Sequence, residues 1–461
     1  MQYRTERDLL GEKKVPQEVY WGIHTARARE NFPLSGRMVD FDLIKALVVV
    51  KKSAAQANHE LGYLNKEKFL AIEQACDEVS QGKFNSSFVV DSLCGGAGTS
   101  VNMNVNEVLA NRALEILGKN KGDYSFLHPI DDVNMHQSTN DVFPTGVRIA
   151  VINKLKDLSA VIAGLQGAFQ QKEKAFVGIV TIGRSELQEA VPVSLGAEFG
   201  AFAQGFERDR WRTFKCEERL RVVNIGGTAI GTGLGAPRSY IFLVIEKLRA
   251  LTGLGLSRAE NLVDATANCD AFGEVAGIIK VHAQNIIKVS NDLRLLHLLG
   301  EIVLPSLQAG SSLMPGKVNP VACEAVIQAA IKAGNDCDII TELVGRGTLQ
   351  INEFMPLIAD SFMEALNLLA ASGRILTDCV NSIEANESVC REYIEHSLGV
   401  VTAFVPIIGY EKATALIQEF KAAKEKNVRS FLVEKLGKDL VDKTLSAENI
   451  ISLGYKDVKR A

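Results

Sequence analysis

The chain has 461 residues, 23% of them charged, with 51 Lys and Arg against 55 Asp and Glu and a formal net charge of −4. This near-neutrality excludes the basic face that nucleic acid or an anionic membrane surface requires. Eight cysteines, at 76, 94, 216, 269, 323, 337, 379 and 390, form no CxxC pair. Their scatter argues against a zinc cluster or a disulfide framework and fits a reducing cytoplasm.

The chain opens MQYRTERDLL, which is charged and lacks the apolar core of a signal peptide, and no uncharged apolar run approaches the roughly 20 residues that span a bilayer. A soluble, cytoplasmic protein is expected. Only eleven prolines are present, and none lies between Pro33 and Pro129, between Pro237 and Pro305, or between Pro356 and Pro406. These intervals are long enough for long helices. In the second, Ile279, Ala283, Ile286, Val289, Leu293 and Leu296 recur at three- and four-residue steps and share one helical face. Small residues dot stretches such as VSLGAEFGAFAQGF (193–206) and allow helices to approach closely. The spacing predicts a mainly all-α protein whose middle, about 140 to 395, is a bundle of long helices. Many of these segments carry more apolar residues than one buried stripe needs, which predicts a homo-oligomer. The lysine-rich stretch 421–443 reads as the solvated surface of a small end domain.

Three polar, small-residue loops interrupt the apolar periodicity: GGAGTSVNMNVN (95–106), HPIDDVNMHQSTND (128–141) and GSSLMPGKVNP (310–320). Together they suit a neutral, donor-rich pocket for a small anion, with Lys317 supplying charge. His128, Asp131, Asp132, His136 and Asp141 lack the repeat spacing of a zinc motif, and a turn leading to a helix N-cap at Ser138 or Thr139 accounts for them. GTGLGA (231–236) formally matches a dinucleotide fingerprint, but it follows a helical stretch and runs into Pro237, outside a βαβ unit. The 310–320 loop misses the phosphate-loop pattern because Ser311 stands where a glycine is needed and Val318 where a Ser or Thr is needed.

Taken together, GSSLMPGKVNP, GGAGTSVNMNVNEVLANRALE, HPIDDVNMHQSTNDVFPT and GGTAIGTG resemble the aspartase/fumarase superfamily, most closely its aspartate ammonia-lyase branch. The likeness runs from VPQEVYWGIHTARARENFPLSG (15–36) to SLGVVTAFVPIIGYEKA (397–413), nearly the whole chain. The resemblance implies a homotetramer with active sites built from loops of three subunits, and a three-domain subunit of segments 1–140, 141–395 and 396–461. It also implies elimination of ammonia or water from a substituted succinate to give fumarate, with no cofactor. By the same matching Ser311 is the base, and Lys317 and Asn319 hold the carboxylate beside the lost proton. Ser312, Thr99, Ser138 and Thr139 would bind substrate, the last three at the other carboxylate. Asn140 would orient the leaving amine and Ser185 would contact the reacting end, while Gly310 and Gly316 would hinge the loop as a lid.

Three departures bear on the substrate. Glu186 follows Ser185 where the superfamily usually has His or Gln after Thr. The expectation is that Glu186 binds the substrate ammonium, directly or as the protonated partner of Glu324, since two close carboxylates push one pKa up. In NDLRLLHLLGEIVLP (291–305) the turn after the leucines is about five residues shorter than usual, and Gly235 stands where asparagine is common. The rival readings are a fumarase-type or other succinyl-amine lyase and a catalytically silent dicarboxylate-binding paralogue.

Overall fold

The computed structural model describes residues 2–423, 426–452 and 454; the far end of the segment expected at 396–461 lies outside them. The chain opens with an antiparallel hairpin, β1 (Tyr3–Asp8) and β2 (Gly11–Pro16). Helices α1 (Ile23–Asn31), α2 (Phe41–Glu60), α3 (Lys66–Ser80), α4 (Thr99–Ile116) and α5 (Thr139–Phe176) follow. A second antiparallel hairpin, β3 (Val180–Ser185) and β4 (Gln188–Ser194), leads into α6 (Leu195–Leu220). The two-residue strands β5 (Val222–Val223) and β6 (Ser257–Arg258) pair in parallel around α7 (Arg238–Thr252). Then come α8 (Leu262–Ala267), α9 (Asp270–Leu298), β7 (Ile302–Val303), α10 (Val321–Val344) and α11 (Met355–Asn381). Strand β8 (Glu384–Ala385) pairs with β7, and α12 (Glu387–His396) precedes short helices that run to Ile451.

The fold is mainly α, and the expected run of long helices is present: α5, α6, α9, α10 and α11 have 38, 26, 29, 24 and 27 residues. Every member of the face anticipated on α9, from Ile279 to Leu296, is buried. All eight cysteines are free and buried. No helix among the described residues is long and apolar enough to cross a membrane.

The chain divides into two compact units. The first comprises Met1–Leu158, Arg212–Val281 and Lys332–Leu369. Within it α2 packs on α3 and α7, and α3 packs on α4. Leu47, Val50, Ala54 and Ala57 of α2 are fully buried, with Leu47 and Val50 each adding about 1.5–3 kcal/mol of burial energy. Glu107 of α4 accepts the main-chain N–H groups of Gly22, His24 and Thr25 at the start of α1, where a carboxylate complements the helix dipole.

The second unit comprises Ser159–Trp211, His282–Ile331 and Ala370–Ala461. Phe169 and Phe176 of α5 interlock with Phe199, Phe202 and Phe206 of α6 at ring separations of 5.2–6.0 Å. Glycine makes this approach possible, because a Cβ on Gly196 would stand 2.5 Å from the Glu173 carbonyl oxygen and 2.6 Å from the Val177 main chain. Ile182 of β3 enters a core with Val400, Val401, Phe404, Phe431 and Leu432, so the C-terminal helices buttress the β3–β4 hairpin.

Candidate active site

In the first unit two helix N-termini meet. Helix α4 starts at Thr99 and α5 at Thr139, and Thr99 Oγ1 donates to Thr139 Oγ1 at 3.3 Å. Asn102 Nδ2 donates to the same oxygen at 3.0 Å. A hydroxyl has two lone pairs and one proton. Both lone pairs of Thr139 are thus occupied, and its proton is left for an incoming acceptor. The dipoles of two helix N-termini attract anions, so the local field and the hydroxyl both favour a carboxylate. Gly98 allows the junction: it takes φ +95°, and a Cβ there would lie 2.6 Å from the Phe143 ring.

Ser138 caps α5 as expected. Its Oγ accepts from Asn140 N at 3.2 Å while Asp141 Oδ1 accepts from Ser138 N at 3.0 Å, a reciprocal capping box. Asn140 is held twice. Pro144 has no N–H to give the Asn140 carbonyl, and Asn224 Nδ2 takes that carbonyl at 2.9 Å. Asn140 Nδ2 donates to Ala229 O at 2.7 Å, which leaves Oδ1, an acceptor suited to an amine.

In the second unit the 310–320 loop closes on itself. Gly310 N donates to Lys317 O at 2.7 Å and Asn319 Nδ2 to Gly310 O at 3.0 Å. A Cβ on Gly310 would stand 2.8 Å from Lys317 O, and Gly316 takes φ +78°, so both glycines have steric reasons. Ser311 Oγ accepts from Met314 N at 2.8 Å and Leu313 N at 3.1 Å. Two amides on one hydroxyl oxygen favour its ionised form. Ser311 and Asn319 are half-buried, and Ser312 and Lys317 are exposed.

Ser185 and Glu186 sit at the tip of the β3–β4 hairpin. Glu186 and Leu187 take φ +53° and +62°, a type I′ turn made without glycine or asparagine. Below the tip Arg184 forms an ion pair with Glu301 at 2.6 Å, and Thr181 Oγ1 donates to the same carboxylate. Glu324 lies in the first turn of α10. Among the described residues no hydrogen bond or ion pair joins Glu186 to Glu324, whose expected pairing is not made within the chain.

Sequence reasoning missed two groups beneath Thr139. Lys51 is fully buried and donates to Asn134 Oδ1 at 2.7 Å and Gln137 Oε1 at 2.9 Å; burial pushes its ammonium down to about 7. Asn134 Oδ1 also accepts from Asn102 Nδ2, so a chain of bonds runs from Lys51 to the Thr139 hydroxyl. Asp141, considered only as a metal ligand, also accepts Gly226 N and Thr228 N and pins that loop to α5. Burial lifts its carboxyl to about 6 against those three amides. Nothing in the sequence separates Lys51 from Lys52. The remaining acids and histidines of 128–141 face different partners: Asp132 pairs with Lys68 at 2.8 Å, His136 meets Asn58 at 2.7 Å, and His128 caps Ile130 and Asp131.

The pattern of a family described as lyase matches residues 11–334. The chain belongs to this lyase family. It is 45% identical over 425 residues to the aspartate ammonia-lyase of Bacillus subtilis, covering 91% of this chain and 89% of that one. It is 43% identical over 465 residues to the aspartate ammonia-lyase of Escherichia coli, covering 98% and 97%. Among solved structures, the cobalt-bound fumarate lyase:delta crystallin of Brucella melitensis superposes with a TM-score of 0.94 at 41% identity, over 98% of this chain and 100% of that one. The class II fumarase of Schistosoma mansoni gives 0.90 at 30%, over 98% and 99%.

In this lyase the short turn after α9 ends in a Gly300 cap: Gly300 N donates to His297 O and Glu301 N to Leu296 O. The turn thereby delivers Glu301 to Arg184. Gly235 takes φ +91°, a conformation that asparagine shares with glycine, so this departure preserves the backbone.

Proposed function

We propose that the protein is an aspartate ammonia-lyase that reversibly removes ammonia from L-aspartate to give fumarate. The 310–320 loop carries this reading: Ser311 Oγ accepts two main-chain amides on a closed loop that also bears Lys317 and Asn319. The relatives named aspartate ammonia-lyase, matched over almost the whole chain, support it.

The ionised Ser311 takes the proton from the carbon beside a carboxylate. The electron pair moves into that carboxylate, forming a doubly charged aci-carboxylate held by Lys317, Asn319 and Ser312. Collapse of this species expels the amine and leaves the double bond of fumarate. Thr99, Ser138 and Thr139 bind the second carboxylate. Asn140 and Ser185 receive the amine end, and Glu186 supplies a counter-charge to the ammonium.

The working protein in this reading is a cytoplasmic homotetramer of three-domain subunits divided at 140 and 395, with each site assembled from loops of three copies. The lyase uses no cofactor or metal in this mechanism. The deciding experiment follows fumarate by ultraviolet absorbance during incubation with L-aspartate, with Ser311→Ala as control. Fumarate is expected from the intact protein, with a rate loss of about 10²–10⁴-fold in the variant. A folded, assembled protein that yields no fumarate overturns the proposal.

A further inference from the structure

Arg148 lies on α5 two turns beyond Asn140 and is 6% exposed. Among the described residues it makes no ion pair and no hydrogen bond. Its guanidinium lies over the Phe272 ring at 4.8 Å from the centroid. Asp270 is the carboxylate that acts on it through space, from beyond ion-pair reach. An arginine keeps its charge and its five N–H donors even when buried, and a buried, unpaired charge is costly.

Arg148 also lines a cavity of about 10 Å³ with Asn140, Pro144, Thr266, Asn268 and Asn352. The amide groups around it are already turned to other partners: Asn268 Nδ2 donates to Asp264 Oδ1 and Asn352 Nδ2 to Leu343 O. The space suits one body about the size of a water. A water would offer the guanidinium an acceptor but no charge. A monatomic anion offers both and accepts from several N–H groups at once.

We propose that this cavity binds a halide-sized anion, chloride above all, against Arg148. The anion neutralises the arginine and steadies the start of α5, where Asn140 is carried. The cavity borders the proposed amine end of the substrate site through Asn140.

The test uses the full-length assembled protein. Thermal unfolding is compared in sodium chloride and sodium gluconate at equal ionic strength, and crystals are soaked in sodium bromide. The expected results are a Tm higher by about 2 °C in chloride and an anomalous bromine peak beside the guanidinium. Arg148→Met should lose both. If that variant does not fold, Arg148→Lys should raise the half-saturating chloride at least about tenfold, because an ammonium lacks the planar fork of donors. Equal Tm in the two salts, or a chloride-specific rise unchanged in the variant, overturns the proposal. A bromine peak without a chloride-specific shift in solution means an adventitious ion only and overturns it as well, as does a water or a neighbouring subunit's carboxylate in the cavity.

Discussion

Glu301 has no exposed surface, and its carboxylate meets Arg184 at 2.6 Å, one residue before Ser185. Glu301→Gln leaves a half-committed arginine beneath the hairpin tip. Breaking such a buried pair costs about 3–5 kcal/mol. The expected outcome is a lower Tm with the assembly retained at 20 °C, together with a fall in kcat for L-aspartate larger than any change in KM. Unaltered Tm and kinetics would show that the hairpin holds its turn without this latch.

Thr139→Val keeps the shape of the side chain and removes the hydroxyl, both the proton that points away from Asn102 and Thr99 and the oxygen that accepts from them. One lost hydrogen bond to a charged group is worth about 1.5–3 kcal/mol. KM for aspartate, and the inhibition constant of succinate, should therefore rise by about 10–150-fold, and the thermal midpoint should fall, because Thr99 and Asn102 lose the oxygen they donate to. Steady-state kinetics and a succinate titration read both quantities.

Gly196→Ala should destabilise the protein by more than about 1 kcal/mol, because the new methyl would meet the Glu173 carbonyl at 2.5 Å. Gly164→Ala serves as the control: nothing in the chain lies within 4 Å of its Cβ, and alanine favours the helix by up to about 1 kcal/mol. Thermal unfolding of the two variants should shift in opposite directions.

The Lys51 ammonium, pushed down to about 7 by burial, gives a pH signature. Between pH 7 and the ordinary lysine value of 10.5 the unfolded chain holds one proton more than the folded chain at this site. Stability from this group therefore rises with pH across that window and is lowest below pH 7. Lys51→Met should flatten this part of the stability-against-pH curve. It should also weaken aspartate binding, because Asn134 and Asn102 lose the group that orders them beneath Thr139.

Much of this was legible in the sequence because it rests on local pattern. Apolar spacing marked the buried face of α9, Ser138 announced the start of α5, and the small residues of 193–206 foretold the close passage of Gly196. The β3–β4 hairpin was not legible. Its turn uses Glu186 and Leu187 at positive φ, without the Asn-Gly or Asp-Gly signal that advertises such a turn. It forms because Ile182 is buried against the C-terminal helices and Arg184 against Glu301, contacts more than a hundred residues apart in the chain.

By itself the sequence determined the helical class and the three polar, small-residue loops that resemble the family's, since periodicity, caps and short motifs are encoded within a few turns of chain. Only the tertiary structure decided that the Thr99 hydroxyl donates to Thr139, that Lys51 rather than Lys52 is buried beneath them, and that Arg148 has no ion-pair partner among the described residues. Burial and long-range hydrogen bonds set those properties, and neither depends on neighbours in sequence.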